Sequence, residues 1–170
     1  MILHYHKGKT IFYFVLCLLF TAALTGGMIF LFFNSEMNEK MVVALSFLIL
    51  GNLLMYWTIY YLFLALIEKW CVKIENDGLH FSRSLAGFKL EYDQIEEARM
   101  FYQGGGYKQI GIKITNRKTW FKSLGLYQKF WVLMCRLFTR YDHIIPGYMI
   151  SESPEETAAL ITELSGTYEN

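Results

Sequence analysis

The chain has 170 residues, a formal net charge of +1 and 54% hydrophobic residues, against roughly 45–50% for ordinary globular domains. The excess lies in two stretches without Asp, Glu, Lys or Arg, one between Lys9 and Glu36 and one between Lys40 and Glu68. Both exceed the roughly 18 apolar residues that mark a membrane-spanning helix, and the rest of the chain is too short to hide them in a core, which argues against one water-soluble domain.

Residues 1–9 read as a tail carrying His4, His6, Lys7 and Lys9. Residues 10–33 form the first expected span. The run is longer than the roughly 7–15 residues of a signal-peptide core, has no small-residue cleavage pattern, and leads to a second span, so a retained anchor is expected. The loop at 34–40 holds Glu36, Glu39 and Lys40, and the second span covers 41–67. Tyr56, Trp57, Tyr60, Tyr61 and Trp70 gather toward its inner end, as amphipathic rings do at headgroup level. Lys7 and Lys9 precede the first span, and Lys69, Lys73 and a strongly basic stretch follow the second. By the bias of cytoplasmic flanks toward cations, both termini are expected to face the cytoplasm, with the chain multi-pass in the inner membrane; the alternative is an extracytoplasmic soluble domain.

The polar groups of the spans are Thr21, Thr25, Ser46, Asn52 and Thr58, with Gly26, Gly27 and Gly51. Transport sites within a membrane usually carry ionisable groups, and the spans have none; helix packing and one interhelical hydrogen bond worth about 1 kcal/mol are expected instead.

Residues 68–170 form the soluble domain. Trp70, Val72 and Ile74 alternate with Cys71, Lys73 and Glu75, and Asn76-Asp77-Gly78 supplies a tight turn into a strand with Leu79 and Phe81. Phe88, Leu90 and Tyr92 mark a third strand, residues 95–102 a fourth, and Gly104-Gly105-Gly106 turns into Ile110, Ile112 and Ile114. A later strand is expected near 145–150. Ser153, Pro154, Glu156 and Gly166 then delimit a terminal helix through cap, first position, capping box and stop. The predicted fold class is a membrane α plus β chain: a two-helix transmembrane hairpin, then an antiparallel domain whose strand-then-helix order is that of pleckstrin-homology-like (PH-like) domains.

Over most of its length the chain resembles the STM3941-like family of small bacterial two-span membrane proteins with a PH-like domain. The resemblance rests on H-Y-H-K-G-K from His4 to Lys9, I-G-I-K-I-T-N from Ile110 to Asn116 with Trp120 and Phe121 following, and P-G-Y-M-I-S from Pro146 to Ser151. It implies an architecture and carries over no catalytic residue or ligand.

The segment 117–140 has six cations and no acid. Treated as one helix at about 100° per residue, Lys118, Lys122, Lys129, Arg136 and Arg140 fall within about 40° of one another. Trp120, Phe121, Leu124, Phe130, Trp131, Met134, Leu137 and Phe138 occupy the remaining circumference. Such a helix suits the cytoplasmic headgroup layer, with rings inserted and cations on anionic lipid; the competing reading is an ordinary helix packed on the sheet. Gly125 is a candidate break between two helices. The predicted lipid-binding residues are Lys118, Lys122, Lys129, Arg136, Arg140, Trp120 and Trp131. Nucleic acid is not an expected partner, because the domain's acidic residues cancel the basic field.

No cofactor or metal is expected. His4 and His6 lack further ligands, and His80 and His143 lie far apart in sequence. Gly104-Gly105-Gly106 lacks the Lys-Ser/Thr of a phosphate loop. Asp93, Glu96 and Glu97 are expected to be solvent residues, and Cys17, Cys71 and Cys135 reduced packing residues. No nucleophile is paired with a base, so no enzyme is expected. The expected role is a non-enzymatic scaffold binding anionic membrane lipids or a protein at the inner surface. The alternatives are an immunity or stress-response protein that meets a membrane or cytoplasmic toxin, and a small transporter or channel subunit.

Overall fold

A computed structural model of the chain describes residues 1–34 and 38–166. It forms two compact units, Lys7–Ile67 and a second composed of Met1–His6 with Glu68–Asn170.

The first unit contains the helices α1 (Lys7–Asn34) and α2 (Glu39–Glu68). Both are long and apolar enough to cross a membrane, and only 6% of the most apolar window of each is buried, unlike the core helix of a soluble protein. Thr25 Oγ1 donates to Asn52 Oδ1 at 2.9 Å, joining the two helices, while Asn52 Nδ2 donates to the Leu48 carbonyl at 3.0 Å. Thr21, Ser46 and Thr58 satisfy their hydroxyls on carbonyls one turn back, those of Cys17, Val42 and Leu54. A methyl group at Gly51 would meet Leu24 at 3.9 Å, but at Gly26 or Gly27 it would meet nothing within 4 Å. The small-residue packing expected of the spans therefore does not extend to Gly26 and Gly27. Glu36, which the topology reading used, lies outside the described residues.

The second unit has two antiparallel sheets. One is ordered β1 (Ile2–His4), β2 (Trp70–Glu75), β3 (Gly78–Phe81) and β4 (Lys89–Leu90); the other is β5 (Ile95–Gln103), β6 (Tyr107–Ile114) and β7 (His143–Ile145). Val72, Leu79, Leu90, Ile110, Ile112 and Ile145 are buried in the core. The terminal helix α5 (Pro154–Leu164) packs on the second sheet, burying Ile161 and placing Thr162 Oγ1 2.9 Å from the Ala98 carbonyl. Its cap is the expected one, with the Ser153 hydroxyl accepting from the Glu156 amide.

Of the residues 1–9 expected to be a tail, Ile2–His4 form β1 and Lys7 to Lys9 begin α1. Ile2 and Leu3 pair with Lys73 and Val72, and the Ser151 amide bonds the His4 carbonyl on the other side at 3.0 Å. Leu3 and Tyr5 are buried while Ile2, His4 and His6 are exposed, so the alternation of a half-buried strand is present in five residues. Cys71 is buried and hydrogen-bonded by Tyr5, although alternation along β2 had placed it with Lys73 and Glu75. The strand expected at 145–150 ends at Ile145, where Pro146 removes a ladder donor; Ile150 keeps a single bridge to Tyr5.

Gly78 has no room for a side chain: its φ is 136°, and a Cβ would lie 2.4 Å from the Leu90 carbonyl oxygen. This close approach allows β4 to pair with β3 directly beyond the turn.

Candidate functional site

The basic aromatic segment is two helices, α3 (Arg117–Ser123) and α4 (Leu126–Phe138). Leu124 and Gly125 between them are extended, with ψ of 147° and 166°. The one-helix wheel therefore does not apply. Lys118 and Lys122 lie on α3, Lys129 and Arg136 on α4, and Arg140 beyond its end. Gln128 stabilises the restart of the helix: its Oε1 accepts from the Gly125 amide at 2.9 Å, and its Nε2 donates to the Ala86 carbonyl at 3.3 Å.

Both tryptophans face the domain's interior. Trp120 is buried and meets Phe88 edge-on at 5.4 Å. Trp131 is half-buried and donates from Nε1 to His143 Nδ1 at 3.0 Å. His143 is fully buried between Phe81 and Phe88, with ring centroids at 4.3 and 4.8 Å, and burial holds its imidazole down at about 3. Since Nδ1 accepts, the single proton of the neutral ring sits on Nε2, which has no hydrogen-bond partner among the described residues.

The apolar surface of α4 is a different set from the one expected. Leu126, Phe130, Leu133 and Leu137 are spaced four, three and four residues apart and fall within about 60° on the helix. They are 90%, 40%, 50% and 69% exposed. Val132 and Cys135 are buried on the opposite side. Lys129 and Arg136 lie on one flank of the stripe, roughly 70–90° from its centre. Thus α4 has a core face, an outward apolar face and a basic edge, whereas a helix that only packs on a sheet needs one apolar face.

The cations differ in their engagement. Lys118 and Lys122 are exposed, and Lys129 is half-buried. Arg140 stacks over the Tyr141 ring at 5.4 Å and donates from Nη2 to its hydroxyl at 3.3 Å. Arg136 approaches Asp142 Oδ1 through Nε at 3.4 Å, and Arg117, absent from the predicted set, approaches the same oxygen through Nε at 3.0 Å. Asp142 Oδ2 accepts from the Ile114 amide at 3.1 Å. Burial pushes the Asp142 carboxyl up, opposed by that backbone bond and the cations Arg136 and Lys113.

Other reactive groups lie elsewhere in the second unit. Burial raises the Cys71 thiol and pushes Cys135 to about 12, disfavouring the nucleophilic thiolates. Ser82 and Ser84 share a 2.6 Å hydrogen bond, Ser84 bonds the Tyr5 hydroxyl at 2.7 Å, and the Ser84 amide lies 3.5 Å from Glu68 Oε2. At the β2–β3 turn, donor atoms of Glu75, Asp77 and His80 lie within 4.8 Å of one another. This group, with Glu75 and Asp77 exposed and His80 half-buried, is braced by Lys89, whose ammonium contacts Asp77 Oδ2 at 2.7 Å and, with His80, holds the Asp77 carboxyl down at about 2.

No protein-family model, curated protein or solved structure matches the chain.

Proposed function

We propose that the protein is a non-enzymatic binding module of the bacterial inner membrane: a two-span hairpin that holds a PH-like domain at the cytoplasmic surface, with α4 docked on anionic lipid. The observation that carries this reading is the outward stripe of Leu126, Phe130, Leu133 and Leu137 beside Lys129 and Arg136. Apolar side chains gain from insertion below the headgroups, while Lys and Arg at that depth meet lipid phosphates. Trp120 and Trp131 are left out of the lipid-contacting set and shape the domain instead, and Lys118 and Lys122, carried by α3 and not by the docked helix, are left out with them.

The pairing of β1 with β2 supports the hairpin. One strand precedes α1 and the other follows α2, and a sheet cannot be assembled through a bilayer, so two spanning helices must return the chain to its starting side. The cation bias of the flanks supports the cytoplasm as that side. The four-stranded and three-stranded antiparallel sheets followed by α5 support the PH-like reading by strand order. Tethering confines the domain to the surface, so even weak affinity for lipid, or for a membrane protein or toxin, becomes effective through high local concentration.

The test is the depth of a nitroxide on Leu133→Cys in the full-length protein, in a Cys17→Ala background, reconstituted into nanodiscs containing phosphatidylglycerol. The label is expected below the phosphate plane, and a label on Lys118→Cys above it. Equal aqueous exposure of the two would overturn the docking.

A further inference from the structure

Arg117 begins α3, Arg136 lies in the last turn of α4, and Asp142 immediately precedes β7, yet the three side chains meet at one carboxylate oxygen. The Asp142 side chain is only 6% exposed and is fixed from the other side by the Ile114 amide of β6. Both guanidinium groups approach Oδ1 through Nε, in ion-pair contact outside hydrogen-bond geometry. Neither uses an Nη group in a hydrogen bond within the described residues, and their side chains remain 38% and 37% exposed.

The charge at this point is unbalanced. Two guanidinium groups face one carboxylate, and the neighbouring Lys113 is already paired with Glu97. The surplus positive charge is accompanied by two planar forks whose geometry matches the paired oxygens of a phosphate. Bracing through Nε limits the side-chain freedom that would otherwise be lost on binding. Arg136 also stands on the basic edge of α4, beside the stripe that enters the lipid in the reading above.

We propose that Arg117 and Arg136, cross-braced by buried Asp142, form a clamp for the phosphate of an anionic phospholipid headgroup. The clamp rests on the docking reading, because docking brings the headgroup layer to the edge of α4. It adds a defined phosphate position, with Asp142 as a positioning residue, to what would otherwise be diffuse attraction between cations and a charged surface.

The experiment titrates full-length protein in neutral detergent with short-chain phosphatidylglycerol, short-chain phosphatidylcholine and inorganic phosphate, following binding by calorimetry. Saturable binding of phosphatidylglycerol is expected, weakened at least about tenfold by Arg117→Gln or Arg136→Gln, and less than about twofold by Lys118→Gln, which removes the same charge elsewhere. Arg117→Lys and Arg136→Lys retain charge without the fork and should each weaken binding severalfold, which tests the geometry if the Gln variants fold poorly. Asp142→Asn adds net positive charge yet should weaken binding, because the forks lose their brace. Tighter binding by Asp142→Asn, or equal effects of Lys118→Gln and Arg136→Gln, would show diffuse attraction and overturn the clamp. Inorganic phosphate binding as tightly as phosphatidylglycerol would make this a free-anion site and overturn the headgroup assignment. The Leu133 label separates the two proposals: normal insertion with no specific phosphate binding sinks the clamp alone, whereas an undocked label sinks the reading beneath it.

Discussion

Replacing Gly111 with Ala should damage the soluble domain through one contact. A Cβ at this position would lie 2.3 Å from Cγ and Cδ2 of Tyr141, where carbon atoms ordinarily stay about 3.5–4.0 Å apart. The ring would have to retreat by more than about 1 Å, but Tyr141 is 1% exposed and stacks on Phe101 at 4.8 Å. The backbone cannot easily yield either, since Gly111 is paired with Arg99 of β5 and Ile144 of β7. Overpacking of this kind costs about 1–3 kcal/mol, and a site closed on both sides belongs in the upper half of that range. Denaturant unfolding of the full-length protein in detergent, followed by near-ultraviolet circular dichroism, should show the loss. Tyr141→Ala alone should cost about 3–5 kcal/mol, and Gly111→Ala/Tyr141→Ala should be no worse, because the clash is gone. Simple additivity in the double variant would refute the reasoning, as would a Gly111→Ala protein within about 0.5 kcal/mol of the parent.

Burial depresses His143 to about 3 from an ordinary value of about 6.5, so as pH falls the unfolded chain takes up this proton first and the folded state loses stability between those values. On going from pH 7.5 to 5 the parent should lose about 2 kcal/mol more than His143→Phe, and parallel curves would show that the ring is not held neutral. Thr25→Val removes the hydrogen bond to Asn52 and should destabilise the pairing of the two helices by about 1 kcal/mol or less, measured by steric trapping in bicelles; no change would mean that Asn52 finds an equivalent partner. Ile2→Cys combined with Lys73→Cys should form an intramolecular disulfide on mild oxidation in membranes, because the two residues are register partners; failure to cross-link would contradict the pairing of β1 with β2.

Much of the local structure was legible because it depends on near neighbours. The two uncharged runs, the period-two spacing of Ile110, Ile112 and Ile114, and the Ser153-Pro154-Glu156 cap each determine an element without help from distant residues. β1 was missed because five residues of alternation before a long apolar helix look like a tail until Trp70–Glu75 arrives to pair with them. The site was only partly legible. Its basic, aromatic composition was plain, but the break at Leu124 and Gly125 changed every angular relation between the residues of α3 and those of α4. With that break, Trp120 and Trp131 serve the interior, while Leu126 and Leu133, absent from the expected apolar set, line the outward face. No local signal marks Arg117 and Arg136 as partners of Asp142.

The sequence by itself determined where helices and strands could form and where charge could not be hidden, since covalent order and side-chain polarity suffice for both. Only the tertiary structure decided which side of α4 remained open, and which cations converged on Asp142. Those choices depend on how the residues of β6, β7 and the two short helices compete for one interior, a competition settled by packing across long separations in the chain.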